Sequence, residues 1–195
     1  TLSGNKIGYL QLQQFEDVSY DEFMTHLKDL EDKEVEGIVL DLRNNPGGAL
    51  DVCLKIADEF LDKGTIVSTV DKNGEEIVEE SDDKKDDIPL VVLINENSAS
   101  ASEILAGALK DRKRAKIVGV QSFGKGIVQK LFPLADGTGA KITISEYFTP
   151  NKTKIHKIGV EPDIEVESNK DTSLVDIDEL GSDKQFLMGA KALLE

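Results

Sequence analysis

The sequence predicts an α/β fold built on a mixed, partly parallel sheet. Three observations carry that expectation. Two short apolar runs, GIVLDL (Gly37 to Leu42) and LVVLI (Leu90 to Ile94), have the length of buried strands. Each leads through a polar loop into a helical apolar pattern, about Ala49 to Leu61 after the first and up to about Arg112 after the second. A further strand-like run, KIVGV at 116–120, completes the second unit, and such a strand–helix–strand succession returns its strands in parallel.

The other elements follow in chain order. IGYLQL at 7–12 reads as a strand. A helix begins at about Tyr20, with Ser19-x-x-Glu22 as its capping box and Phe23, Leu27 and Leu30 as its buried stripe. His26 falls beside that stripe and reads as a surface or boundary residue. TIVSTV and EEIVEE flank Asp71-Lys72-Asn73-Gly74, a hairpin signal. Beyond residue 120 the chain is strand-rich, with GIVQKLFPL, KITISEYF and TKIHKIGV as candidates. Residues 168–182 read as a mobile connection to a last short helix that starts at Ser182-x-x-Gln185. With no internal repeat and no Pro/Gly/Ser linker, a single domain over 1–195 is expected.

Composition narrows the function. Lys+Arg number 23 against 38 Asp+Glu, a formal net charge of -15, and such a field repels a phosphate backbone. Nucleic acid is therefore not an expected partner. The acidic run EEIVEESDDKKDD (Glu75 to Asp87) reads as a solvated strand end and loop, without the D-x-D-x-D-G pattern of a calcium site. Cys53, the one cysteine, rules out an internal disulfide and a Cys-rich zinc site, and reads as a small core residue of DVCLKIADEFL. No metal or cofactor is expected. No apolar run is long enough for a membrane helix. The N-terminus lacks the regions of a signal peptide and an initiator Met, so the chain reads as a piece of a longer protein.

Three segments hold residues with chemistry. NENSASASE (Asn95 to Glu103) sets three serines one residue apart between a buried strand and a helix. Ser100-x-x-Glu103 is a capping box, and the same place suits a nucleophile, because the first-turn amides of a helix are unpaired and its dipole favours negative charge. The amide of Ala101 could then hold an oxyanion. In VGVQSFGKGIVQ (Val118 to Gln129), Gly119 and Gly124-Lys125 match most of a phosphate-binding loop, but Gly126 stands where Ser or Thr should be, and a strand-like run follows instead of a helix. A lysine between glycines and beside Phe123 and Ile127 suits another role, because burial favours its neutral, basic form. Gln129 shares a strand face with Lys125 if the pairing is regular. Gln121, Ser122 and Ile127 read as positions free to vary. In DLRNNPGG (Asp41 to Gly48) a strand ends in two glycines, either as a plain turn or as backbone amides offered to an anion.

Taken in order, DLRNNPGG, NENSASASEILAGAL, FGKGIVQ and YFTPNKTKIHKIGVEPDIEV resemble the carboxyl-terminal processing peptidases, or tail-specific proteases, over about Ile7 to Val166. The resemblance implies a serine endopeptidase that cleaves proteins near an unstructured C-terminus, with Ser100 as nucleophile, Lys125 as base and Gln129 orienting the lysine. It implies an oxyanion hole of Ala101 and a glycine of the NPGG turn, Gly47 first and Gly48 next. It also implies a crotonase/Clp-protease-like core of β-β-α units wound into a superhelix, an extracytoplasmic location, and a PDZ domain in the longer parent chain. Polypeptides are the implied substrates, and a homo-oligomer is allowed. His156 reads as a strand side chain near the cleft. A non-catalytic peptide- or ligand-binding module of the same fold is the alternative.

Overall fold

The computed structural model describes residues 4–83, 85–135, 137–169 and 177–194. Nine strands and four α-helices follow one another among them. Strands β1 (Ile7–Gln11), β2 (Gly37–Asp41), β5 (Leu90–Ile94), β6 (Lys116–Gly119) and β9 (Ile164–Glu165) form a parallel sheet in the order β1-β2-β5-β6-β9. Its central strands β2 and β5 are buried at every position, as continuous apolar runs covered on both faces must be. Strands β3 (Gly64–Asp71), β4 (Glu76–Ser81), β7 (Ile127–Pro133) and β8 (Gly139–Phe148) make a separate antiparallel sheet, β4-β3-β8-β7. The fold is thus α/β with both parallel and antiparallel pairing. The hairpin from β3 to β4 turns where expected: Asp71 Oδ1 accepts the N–H groups of Asn73 and Glu75, and Gly74 has φ 83°.

Helices α1 (Ser19–Asp32), α2 (Leu50–Phe60) and α3 (Ala101–Asp111) share the larger core with one face of the parallel sheet. Phe15, Phe60, Ile56, Leu40 and Leu105 are fully buried there, and Cys53 lies among them at 0% exposure. Helix α4 (Lys184–Leu193) covers the other face, where Ala190, Ala192 and Phe186 pack with Val39, Val91, Leu93 and Val118. His26 is exposed.

Four local expectations change. Ser19 is not the cap of α1: Val18 is, and the Ser19 hydroxyl instead donates to Gln14 O and accepts Glu16 N–H, tying the turn before the helix. Asp183, not Ser182, caps α4, because its carboxylate takes the N–H groups of Gln185 and Phe186. The connection of 168–182 contains a 3-10 turn at Ile177–Ser182, while residues 170–176 lie outside the described residues. TKIHKIGV is a turn with one bridge, Phe148 to Lys154, rather than a strand. Lys157 at φ 65° and Gly159 at φ 80° bend it, and Ile155 O accepts both Ile158 and Gly159 N–H.

Candidate active site

The parallel strands end at one rim of the sheet, where the loop after β2 and the loop after β5 meet. Their side chains and backbones are zipped together. Ala99 N–H and the Ser102 hydroxyl both donate to Asn45 O, and the Ser98 hydroxyl donates to Leu42 O. Asn95, fully buried, accepts Asn44 N–H and donates to Asn44 Oδ1.

This zipper sorts the serines. Ser98 and Ser102 are buried at 0% exposure and have hydroxyls committed to carbonyls at 2.8 and 2.9 Å. They are structural. Ser100 between them is half-buried and sits at the N-cap of α3 with φ 58° and ψ −113°. That conformation is rare for any residue with a side chain, and strain of this kind costs on the order of 1–3 kcal/mol. The surrounding zipper holds it there.

Two amides, one at this turn and one in the NPGG turn against it, have no partner among the described residues. Ala101, the first residue of α3, is 2% exposed and its N–H has no acceptor among the described residues. The NPGG turn lies against it: a Cβ added at Gly47 (φ 101°) would sit 2.9 Å from Ala101 N and 2.8 Å from Ser100 Cβ. Only glycine allows that approach. The Gly47 N–H itself donates to Asn45 Oδ1 at 2.9 Å. Gly48 is exposed and its N–H has no partner among the described residues. Its bridge to Phe15 runs through Gly47 O and Ala49 N, which turns the Gly48 amide away from Phe15. Of the two glycines, Gly48 offers the open donor.

The lysine segment joins the same place through Glu103. This carboxylate is fully buried, in the first turn of α3, and accepts four hydrogen bonds. Oε2 takes Ser100 N–H at 2.9 Å and Lys125 N–H at 2.8 Å, and Oε1 takes the Ser122 hydroxyl at 2.6 Å and Gly124 N–H at 2.7 Å. Hydrogen bonds to a charged group contribute about 1.5–3 kcal/mol each, enough together to offset burying the carboxylate. The phosphate-loop reading falls here, since the amides of Gly124 and Lys125 already face an internal anion and β7 follows in place of a helix.

Ser122 is correspondingly not free to vary: it is buried, and its hydroxyl also accepts Val160 N–H at 2.7 Å. The turn at 155–160 packs on the loop, with Lys157 N–H donating to Gly124 O and a Cβ at Gly126 meeting His156 N at 2.4 Å. His156 therefore lies in a turn against the lysine segment, with its Nδ1 buried and without a hydrogen-bond partner among the described residues.

Two expectations for Lys125 differ from the structure. Its side chain is exposed, beside Phe123 at 65% exposure, so the anticipated burial is not in place in this chain alone. Gln129 does not share a regular strand face with it, because Lys125 precedes β7 and the register shifts between Val128 and Gln129. Ser100, Ala101 and Gly47 are brought together, with Gly48 next in the same turn; the backbone of Lys125 is brought to Ser100 while its side chain and that of Gln129 are in solvent.

The sequence reading missed Glu103 as a clamp and Asn45 and Asn95 as the hubs of the zipper. The signal was present: Glu103 was legible as a cap, and a carboxylate buried in an apolar helix such as ASEILAGALKD requires partners beyond the cap. Groups of His, Cys, Asp and Glu able to hold a metal are absent among the described residues.

The family model of peptidase family S41 matches residues 6–166. The carboxyl-terminal-processing protease of Synechocystis sp. is 47% identical over 165 residues, covering 84% of this chain and 39% of the relative. The carboxy-terminal-processing protease of Bartonella bacilliformis is 46% identical over 168 residues, with 83% and 39% covered. Among solved structures, the photosystem II D1 C-terminal processing protease superposes with a TM-score of 0.79 at 39% identity, over 83% of this chain and 42% of that one. The chain thus spans about two fifths of the length of these relatives. A match over so much of this sequence, with relatives this similar, means that the chain belongs to peptidase family S41.

Proposed function

We propose that this chain is the catalytic core of a serine endopeptidase that cleaves proteins near an unstructured C-terminus. The observation that supports it most is the sorting of the serines: one of three is strained, only half-buried and set between the unpaired Ala101 amide and the Gly47 turn. Ser100 Oγ attacks the peptide carbonyl and its proton passes to the neutral amine of Lys125. The oxyanion that forms accepts hydrogen bonds from Ala101 N–H and Gly48 N–H. The C–N bond breaks as Lys125 returns the proton to the leaving amine, and water then releases the acyl group by the same route in reverse.

The Lys125 side chain is exposed in this chain, whereas a lysine that serves as base works in a desolvated place. Productive binding therefore lays the substrate chain over Phe123 and Lys125, excluding water from the amine, with Gln129 as the group that orients it. The relatives' names, which speak of C-terminal processing, support the substrate class. An extracytoplasmic location and PDZ-type capture by the rest of a longer chain belong to the same reading. Peptide cleavage tests it: Ser100→Ala and Lys125→Ala each abolish turnover with the fold intact, and Lys125→Arg fails as well because a guanidinium does not give up its proton. Full turnover in Lys125→Ala removes the mechanism.

The exposure of Lys125 favours one second reading, a binding module whose serine and lysine never assemble. Such a module retains peptide and does not react with a serine-directed phosphonate.

A further inference from the structure

Resting on that reading, we infer that the start of α4 positions the oxyanion loop: Asp183 and Gln185 act through Arg43 on the turn that carries Gly48. Arg43 is 2% exposed, two residues before Asn45. Its Nε contacts both oxygens of Asp41 at 2.9 and 3.0 Å, and Nη2 reaches Asp41 Oδ2 at 2.5 Å. The remaining arm, Nη1, donates to Asp183 Oδ2 at 2.7 Å and to Gln185 Oε1 at 3.0 Å. Burial works against the charge on Arg43, but the hydrogen bonds and charges of Asp41 and Asp183 outweigh it and hold the guanidinium above its ordinary range.

The turn that follows is shaped partly from within, by Asn45 N–H to Leu42 O and Gly47 N–H to Asn45 Oδ1, and is tied to the end of β1 by Asn45 Nδ2 to Leu12 O and the Phe15 to Gly48 bridge. Asn44 at φ 59° and Gly47 at φ 101° still need outside support to hold their conformations. It is gripped from the α3 side by Ser98, Ser102 and Asn95, and from the other side by Arg43. Helix α4 does not need that second grip in order to dock. Its apolar face is already buried on the sheet, and Asp183 caps it through Oδ1 alone. The second oxygen of Asp183 and the fully buried Gln185, whose amide also donates to Val166 O at 2.8 Å, are spent on orientation. A buried ion pair adds little net stability against apolar packing, and its best-attested use is to select one arrangement. The contact lies beyond the family match, which ends at residue 166, yet reaches its catalytic loop.

The test uses the intact protein that contains this chain and compares wild type with Asp183→Asn, which retains an acceptor for the α4 cap and removes the charge facing Arg43. Gln185→Met, which maintains volume and removes the other acceptor, is the second arm. Four quantities are measured: kcat, KM, affinity for a peptide boronate that forms a tetrahedral adduct, and the thermal midpoint. Expected is a fall in kcat of about tenfold, less than loss of a whole oxyanion donor, with boronate affinity falling in proportion, KM unchanged and the midpoint lowered because each variant leaves a buried group short of a partner. A lowered midpoint with kcat and boronate affinity unchanged in both variants overturns the inference and leaves the peptidase reading standing. Wild type that neither cleaves nor binds boronate overturns both.

Discussion

Ser100 and Lys125 share one acceptor: Oε2 of Glu103 takes the backbone N–H of each, at 2.9 and 2.8 Å. A single oxygen atom thus fixes the spacing of two segments far apart in sequence through their backbones alone. The same carboxylate holds Gly124 and Ser122 through Oε1, so the lysine loop is anchored at three points to the helix that begins at Ser100.

Glu103→Gln tests that anchor. The amide is nearly isosteric, but its NH2 group must face N–H or O–H donors that now have no acceptor. Each buried donor left unsatisfied costs about 1–3 kcal/mol, so the variant loses about 3 kcal/mol of stability by denaturant unfolding. Turnover falls on the order of a hundredfold as the two segments lose register. Wild-type stability with wild-type turnover contradicts the anchoring role.

Ser100 carries strain that the fold maintains. At φ 58° and ψ −113° glycine is comfortable and other residues are not. Ser100→Gly is therefore more stable than Ser100→Ala, by about 1 kcal/mol after allowing for the entropy of glycine. Both variants are inactive. Equal thermal midpoints of the two would show that the conformation is relaxed.

The flanking serines behave in the opposite way. Ser98→Ala leaves Asn95 N–H without its partner and removes one of the two donors to Leu42 O, and Ser102→Ala removes one of the two donors to Asn45 O. Each costs about 1–3 kcal/mol, read as a lowered denaturation midpoint, while a serine-directed reagent still modifies Ser100. Loss of modification in Ser98→Ala at full stability would assign the nucleophile wrongly.

Gly47→Ala places a Cβ 2.7 Å from Ala99 O and 2.8 Å from Ser100 Cβ, at φ 101°. Something must move, and what moves is the turn that carries Ser100. Turnover drops by about a hundredfold or more, with a stability loss of roughly 2–3 kcal/mol. Retained activity would mean that the turn and the serine are not in register.

Much of this was legible in the sequence because it rests on local pattern. GIVLDL and LVVLI could only be buried strands at that length and apolarity, and their following loops had to meet at one rim of a parallel sheet. Asp71-Lys72-Asn73-Gly74 declared its turn by the residues it contains. What escaped was long-range. TKIHKIGV alternates like a strand, but Gly124 O and Ser122 capture its backbone and wind it into a turn. Ser19 and Ser182 sit in capping patterns, but Ser19 is turned to the preceding loop, and Asp183 next to Ser182 is the stronger acceptor. The exposure of Lys125 could not be read from FGKG, because glycines around a lysine indicate close packing of its backbone and say nothing of where the side chain ends.

The most direct test of the account is covalent modification of the intact protein by a peptidyl phosphonate, with the adduct mapped by mass spectrometry in wild type, Lys125→Ala and Lys125→Arg. The account predicts an adduct on Ser100 in wild type and none in either lysine variant, at unchanged thermal midpoints. An adduct on another residue, or on Ser100 at the same rate without Lys125, contradicts it.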